Sequence, residues 1–172
     1  MSPVFIFDTC ALIDYFKYYS NDNKELYSFL LEKIQSEEVV VIDKVEGELV
    51  GNDSFKKNIK SVDTNFLSQK VEETFFLEKL AHKNSKFNGV FDSEKKKFLD
   101  KYVDLYLIEL VKHLEKTRLN VTPIIVTNET TNEKYNKNLF LKIPTICKAE
   151  QIKYINISQY LFKYNNFKII KQ

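Results

Sequence analysis

Four acidic residues lie where predicted strands end or helices begin, and acids gathered at such places can do metal-assisted chemistry. Asp8 directly follows the apolar run Val4–Phe7, and Glu48 lies six residues past Ile42, which ends a β-branched run. Glu129 follows a third apolar run by three residues. In an open α/β sheet, ligands bind just outside the carboxyl ends of the strands. We therefore expect these side chains to meet at one edge of a sheet.

The fourth acid, Asp104, interrupts the largely apolar helical stretch Val103–Val111. Its side of the helix also carries Leu107 and Ile108, so its carboxylate should point into protein and need a partner. Unpaired carboxylates repel one another and resist leaving water, so acids collected in one place usually hold a cation. Oxygen ligands of this kind suit Mg²⁺ or Mn²⁺. The pattern predicts a metal-dependent enzyme acting on phosphates.

Each of these acids also has a plain structural explanation. Asp8 would cap the helix that follows it, as would Asp43 after the second strand. Glu129 would suit the first turn of a helix, where the macrodipole favours negative charge. Taken singly, these structural explanations are favoured. The arrangement of all four acids is what favours a site.

The elements that must position these residues follow from apolar runs and helical periodicity. Strands are predicted over Val4–Phe7, Val39–Ile42, Ile124–Val126, Tyr154–Ile157 and Phe167–Ile170. Helices are predicted over Thr9–Tyr19, Asn23–Ser36, from Asp43 onward, and over Phe66–Lys83, Ser93–Thr117, Pro144–Gln151 and Ser158–Tyr164. The intervals 51–66, 84–92 and 128–138 are predicted to be irregular. Alternating strands and helices predict a three-layer α/β/α fold with a central parallel sheet of four to five strands, in a single domain spanning residues 1–172.

Composition narrows the class of protein. Among 172 residues, 44% are hydrophobic and 14 are Phe, which excludes general disorder. Only 3 Gly and 3 Pro argue against an all-β fold, and the chain has no Gly-rich phosphate loop. The two cysteines form neither a disulfide framework nor a zinc pattern. Without a membrane-length apolar run or a basic leader, the chain is expected to be cytoplasmic.

Charge is distributed unevenly along the chain. Residues 1–50 carry 4 Lys against 10 Asp and Glu, whereas residues 131–172 carry 8 Lys against 2 Glu. A lysine-rich surface beside an acidic site would suit a phosphate backbone. The candidate contacts are Lys134, Lys137, Lys142 and Lys148, with Tyr135 as a stacking residue. For any single lysine a solvated surface position is favoured, and Phe140 is expected in the core.

Four strings, FIFDTCALIDYF, VVVIDKVEGELV, DLYLIELV and IIVTNE, resemble the PIN domain family of nucleases in order and spacing. The segment KIPTICKAEQIKYINI is similar to one subfamily with a VT-x-E strand end followed by a KIP-x-x-C helix. The resemblance implies that Asp8, Glu48, Asp104 and Glu129 hold one or two Mg²⁺ or Mn²⁺ ions. It also implies that Thr127 hydrogen-bonds an acid or the attacking water.

On this resemblance, the chain is expected to be an endoribonuclease, and the toxin of a toxin–antitoxin pair. The expected partners are RNA and an antitoxin protein. A homodimer stays open, and no association with a membrane is expected. A DNA-directed nuclease and a non-catalytic RNA- or protein-binding domain remain open. So do two substitutions within the site: Glu46 for Glu48, and Asp100 for Asp104. The last acid, Glu129, departs from the Asp that most of these proteins use.

Two other enzyme classes fit less well. The pair Asp8 and Cys10 superficially resembles the start of a haloacid-dehalogenase-type phosphatase, but that family needs a second Asp where Cys10 stands. A Cys10 nucleophile would need a histidine partner. The two histidines, His82 and His113, are predicted on different helices and at the surface.

Overall fold

A four-stranded parallel sheet forms the centre of the protein. The computed structural model describes residues 1–20, 23–51, 53–75, 102–134, 140–165 and 167. The strands are β1 (Ser2–Phe7), β2 (Val39–Val40), β3 (Val121–Val126) and β4 (Tyr154–Ile155), in the order β2-β1-β3-β4. Helices flank this sheet, so the predicted α/β class with a parallel sheet is confirmed.

The described helices occupy the connections between strands, apart from the last one, which follows β4. They are α1 (Thr9–Tyr15), α2 (Lys24–Gln35), α3 (Asp43–Glu48), α4 (Asp53–Asn58), α5 (Ser68–Phe75), α6 (Val103–Thr117), α7 (Ile143–Glu150) and α8 (Ile157–Gln159). A π-helical turn extends α1 over Phe16–Ser20 and another extends α8 over Tyr160–Tyr164, while Asn65–Leu67 is a 3₁₀ turn before α5. Among the residues that the structure describes, no helix is long and apolar enough to cross a membrane.

The longest strand pairing is between β1 and β3, and it sets the edge on which the site lies. Six residues of each strand face one another, from Ser2 opposite Val121 to Phe7 opposite Val126. The Asp8 N–H continues the ladder by donating to the Val126 carbonyl at 3.1 Å. Because both strands end together, the residues that follow them emerge side by side at the carboxyl edge of the sheet.

Helices cover both faces of the sheet because parallel connections are right-handed. The connection from β1 to β2 crosses the sheet in one direction, and the connections from β2 to β3 and from β3 to β4 cross it in the other, so α1 and α2 lie on one face and α6 and α7 on the other. The Tyr160 ring packs edge-on against Phe5 at 4.9 Å and Phe7 at 5.0 Å between ring centroids. It also lies 6.4 Å from the Phe29 ring of α2, which places the last helix on the α1–α2 face.

The structure corrects several predicted boundaries. The predicted helix Ser93–Thr117 is wrong in its start, because Tyr102 has φ −107° and ψ 68° and the helix begins at Val103. The interval 51–66, predicted irregular, contains α4, whose Phe55 is buried. Strands β2 and β4 are each two residues long, shorter than predicted. Beyond Val40, Ile42 forms only an isolated parallel bridge to Val62.

Other boundaries agree with the prediction. The helix predicted over Asn23–Ser36 is observed with these two residues as its caps. Predictions over residues 76–101, 135–139 and 168–170 lie outside the described residues, and the one described residue of the predicted last strand, Phe167, is not in a strand.

Candidate functional site

The four predicted acids line one cleft of about 370 Å³ at the carboxyl edge of the sheet. They come from four separate segments: the end of β1, the last turn of α3, the first turn of α6 and the loop after β3. The complete lining is Asp8, Thr9, Cys10, Ile13, Glu48, Tyr102, Val103, Asp104 and Glu129.

Asp8 is a helix cap and a wall of the cleft at once. Its Oδ1 accepts a hydrogen bond from the Ala11 N–H at 2.6 Å, which fixes the carboxylate at the start of α1. Its Oδ2 accepts from the Cys10 thiol at 3.3 Å. Burial raises the pKa of Asp8 to about 6, against the lowering effect of hydrogen bonds from Thr127, Ala11 and Cys10. Asp8 therefore caps α1, as its structural explanation predicted, and it also lines the cleft.

Asp104 occupies the first turn of α6, whose N-terminal cap is Tyr102. The pKa of Asp104 is raised to about 8, first by burial and then by the negative charges of Glu129, Asp8 and Glu48, in that order. The same carboxylates that the sequence grouped are thus close enough to oppose one another's ionisation. Asp104 is the acid whose pKa the charges of all three others raise.

The two candidate glutamates of α3 point to different places. Glu48 is exposed at the cleft, where its Oε2 accepts a hydrogen bond from the Thr9 hydroxyl. Glu46 accepts instead from the Ser61 hydroxyl and is not among the lining residues. The structure therefore places Glu48, rather than Glu46, beside Asp8.

Asp43, by contrast, does not cap α3, because the cap position belongs to Ile42. Its carboxylate accepts from the Thr64 N–H at 3.1 Å and from the Thr64 hydroxyl at 2.5 Å. Glu46 and Asp43 together tie residues 61–64 to α3. These two acids are structural.

Glu129 lies in the loop after β3, not in the first turn of a helix as its capping explanation required. Its Oε2 nevertheless accepts from the N–H of Ile143, the first residue of α7, at 2.9 Å. Its own N–H donates to the Thr127 hydroxyl at 3.1 Å. Thr127 is 2% exposed and lies behind the cleft wall rather than in the lining. Thr127 therefore hydrogen-bonds both Asp8 and Glu129 without lining the cleft itself.

Cys10 contributes a thiol to the lining. Its Sγ lies 3.3 Å from Asp8 Oδ2 and 3.7 Å from the Thr127 hydroxyl. Burial, followed by the charge of Asp8, raises the pKa of the Cys10 thiol far above its usual range. The thiol stays protonated at neutral pH, which argues against a Cys10 nucleophile.

The donor set suits a hard divalent cation. Within the described residues, no three Asp, Glu, His or Cys side chains are arranged to hold a metal ion by themselves. Mg²⁺ usually keeps several waters and is bound by one or two carboxylates, so two of these acids and water would be enough. No lysine or arginine in the described ranges forms a salt bridge with any of the four acids. The raised pKa values are what uncompensated carboxylates should show.

The lysines predicted to contact a phosphate backbone are scattered. Lys142 caps α7 next to Ile143, and its Nζ lies 3.5 Å from the Thr130 hydroxyl. Lys148 is exposed in the last turn of the same helix. Lys134 is in the loop after β3, and Lys137, Tyr135, Asp100 and His82 lie outside the described residues. Phe140 is 3% exposed, so its predicted core position is confirmed.

Sequence reasoning missed four lining residues of the cleft: Thr9, Ile13, Tyr102 and Val103. Adjacency was the available signal for Thr9, because it follows Asp8 directly. For Ile13, the signal was its place one turn further along α1. Tyr102 gave no such signal, since it was predicted in the middle of a helix.

The comparison with known proteins identifies one family. None of the curated proteins and none of the solved structures compared with the chain matches it. A domain of unknown function, DUF4411, matches residues 5–168, a range that contains all four acids of the cleft. Because this match covers nearly the whole sequence, the chain belongs to the DUF4411 family.

Proposed function

We propose that this chain is a Mg²⁺- or Mn²⁺-dependent endoribonuclease that hydrolyses phosphodiester bonds at the four-acid cleft. One observation carries the proposal: acids from four separate segments line one cleft, and no described cation of the chain is paired with them. A fold tolerates such a cluster at a cost in stability. A function that needs the negative charge explains why the cost is accepted.

A divalent ion would be held by Asp8 and Asp104, two lining acids whose pKa values are raised, with Glu48 and Glu129 beside them. When bound, such an ion supplies Lewis acidity for activating water and for stabilising charge on a phosphate. Both acids must then be ionised, and a cation favours that form by offsetting the repulsion.

The surrounding residues hold these acids in position. The Ala11 N–H fixes one oxygen of Asp8 and leaves the other towards the Cys10 thiol. Thr9 orients Glu48 through its hydroxyl. The N–H of Ile143 orients Glu129. Preorganised acids of this kind need little rearrangement when substrate and ion bind.

The proposal is tested with purified protein, labelled RNA and DNA oligonucleotides, and Mn²⁺, Mg²⁺ or EDTA. We expect cleavage of RNA with either metal ion and none with EDTA. Asp8→Asn should abolish it, whereas Asp53→Asn, which changes an exposed acid at the start of α4, should leave it intact. Metal-independent cleavage, or full activity of Asp8→Asn, would contradict the proposal, and cleavage of DNA alone would reassign the substrate.

We further propose that the cell keeps this activity in check with an antitoxin protein. Support for this role comes from the resemblance to PIN domain nucleases alone. Expression of the wild-type chain should arrest growth, and co-expression of the product of a neighbouring gene should restore it. Asp104→Asn should be harmless at equal protein level. Harmless expression of a chain that cleaves RNA in vitro would remove the toxin role.

A further inference from the structure

We propose that Tyr102 and Ile13 form an apolar wall of the cleft that contacts an unpaired nucleobase next to the scissile phosphate. This inference rests on the proposed nuclease function. It assigns a role to the two large apolar lining residues that the carboxylate chemistry does not use.

Tyr102 is held in the cleft wall by other rings. Its centroid lies 4.9 Å from that of Phe140, with the rings nearly perpendicular at 86°, and 5.6 Å from that of Phe75. Both neighbours are almost fully buried, whereas Tyr102 stays partly exposed. A ring braced from behind and open at the cleft loses little conformational entropy when a ligand packs against it.

Ile13 reaches the cleft from a different element, α1. Its neighbours Ala11 and Leu12 are fully buried, but Ile13 is 44% exposed. Packing within the described residues therefore does not account for an isoleucine at this place. Its side chain and the Tyr102 ring lie on two different segments that lead into the same acidic cleft.

The two kinds of lining match the two parts of a nucleotide. An acidic floor with a metal ion suits the phosphate, and an apolar wall suits the flat face of a base. Bases in a duplex are stacked and paired, so they cannot reach such a wall, whereas unpaired bases stack readily on aromatic side chains. The wall should therefore select a nucleotide whose base is free.

The test combines a change in the substrate with a change in the wall. Single-stranded RNA is made with one abasic nucleotide at each position around the cut site, and single-turnover rates and binding are measured in Mn²⁺. We expect one abasic position next to the cut to weaken binding of wild type by about tenfold or more. For Tyr102→Leu, the intact RNA should bind as weakly, and that abasic position should make no further difference.

Three further variants separate the wall from folding and from general surface effects. Tyr102→Phe keeps the ring and should behave as wild type, while Ile13→Ser should lose part of the discrimination without disturbing the core. Phe66→Leu changes an aromatic residue that is 56% exposed outside the cleft and serves as the control. Thermal melts check that Tyr102→Leu is folded.

The outcomes distinguish this inference from the proposed function. If wild type cleaves RNA but no abasic position matters, or if Tyr102→Leu and Ile13→Ser retain the full abasic effect, the wall does not contact a base. If Tyr102→Leu does not fold, Ile13→Ser and the wild-type abasic scan decide alone. If wild type cleaves no RNA with any metal ion, both proposals fail.

Discussion

Helix α6 carries two sheltered acids within two turns, and their surroundings differ. Glu109 is 7% exposed, and its Oε1 accepts from the Thr74 hydroxyl at 2.7 Å and from Lys112 Nζ at 2.9 Å. Lys112 in turn lies 3.2 Å from Glu150 on α7. Asp104, at the start of the same helix, faces three other acids and has a raised pKa. Within the described ranges, a lysine pairs with Glu109 and none pairs with Asp104.

On the proposed function, this difference is the one expected between a structural acid and an acid that binds a metal ion. A sheltered charge with its own partners ties elements together, as Glu109 does for α5, α6 and α7. A cluster of like charges without a cation destabilises the fold and persists only where something outside the chain compensates it.

The largest expected contrast is in activity. Asp104→Asn should lower the RNA cleavage rate by at least about 100-fold, because even indirect supports of a metal site cost 10- to 100-fold when lost. Glu109→Gln, the matched change on the same helix, should leave the rate per folded molecule near that of wild type. Initial rates on labelled RNA, normalised to the folded fraction, measure both. Equal losses would erase the distinction between the two acids.

Metal binding should stabilise the folded protein through the four-acid cleft and not through Glu109. Mn²⁺ at a hundredfold excess over its dissociation constant should stabilise wild type by about 2.7 kcal/mol, since it binds only the folded site. Asp104→Asn should be at least as stable as wild type in EDTA and should gain less from Mn²⁺. Thermal melts with EDTA and with Mn²⁺ show this. A wild type that gains nothing from either metal ion has no metal site at these acids.

The stability of the metal-free protein should depend on pH because of the same repulsion among the cleft acids. The pKa values of Asp8 and Asp104 are raised from 3.8 to about 6 and about 8. Between pH 4 and 8 the folded state therefore binds more protons than the unfolded state, and the free energy of unfolding falls as pH rises. The free energy of unfolding falls by up to about 1.4 kcal/mol per pH unit for each extra proton that the folded state binds. Urea unfolding in EDTA should show a shallower fall for Asp104→Asn, and an unchanged slope would mean that Asp104 ionises normally.

The smallest contrast concerns the paired acid. Lys112→Met leaves Glu109 without its cation and should cost about 1 kcal/mol of stability, moderated by the partial exposure of Lys112. Metal should not restore this loss. Urea unfolding with and without Mn²⁺ makes the measurement. Recovery by Mn²⁺ would show that Glu109 also binds the ion.

The sequence was sufficient to place the acids that follow predicted strands. Asp8 could be placed because β1 is an uninterrupted apolar run, and the residue after a parallel strand must lie at the carboxyl edge. The sequence left Glu46 open as a substitute for Glu48, and only the structure separates them, with Glu48 in the cleft lining and Glu46 bound to Ser61. Asp104 was assigned to the correct helix face, although the helix start was misplaced by ten residues.

What the sequence could not supply were contacts made across elements. The pairing of Glu109 with Thr74 joins two helices separated by a long interval, and no local pattern signals it. Helix α4 was missed because its single buried residue, Phe55, gives no periodicity over six positions. The start of α6 depends on the backbone of Tyr102, whose packing against Phe75 and Phe140 is tertiary.

The ladder between β1 and β3 also sets when the cleft can exist. Asp8 leaves the ribosome early, but its strand pairs along its full length only with Val121–Val126. Glu129 receives its hydrogen-bond donor from Ile143, which is made later still. Pairings so distant in the chain form slowly. A nascent or truncated chain that ends before Val121 therefore lacks the ladder that brings Asp8 and Glu129 to one edge, and the activity that we propose would be withheld until β3 has been made.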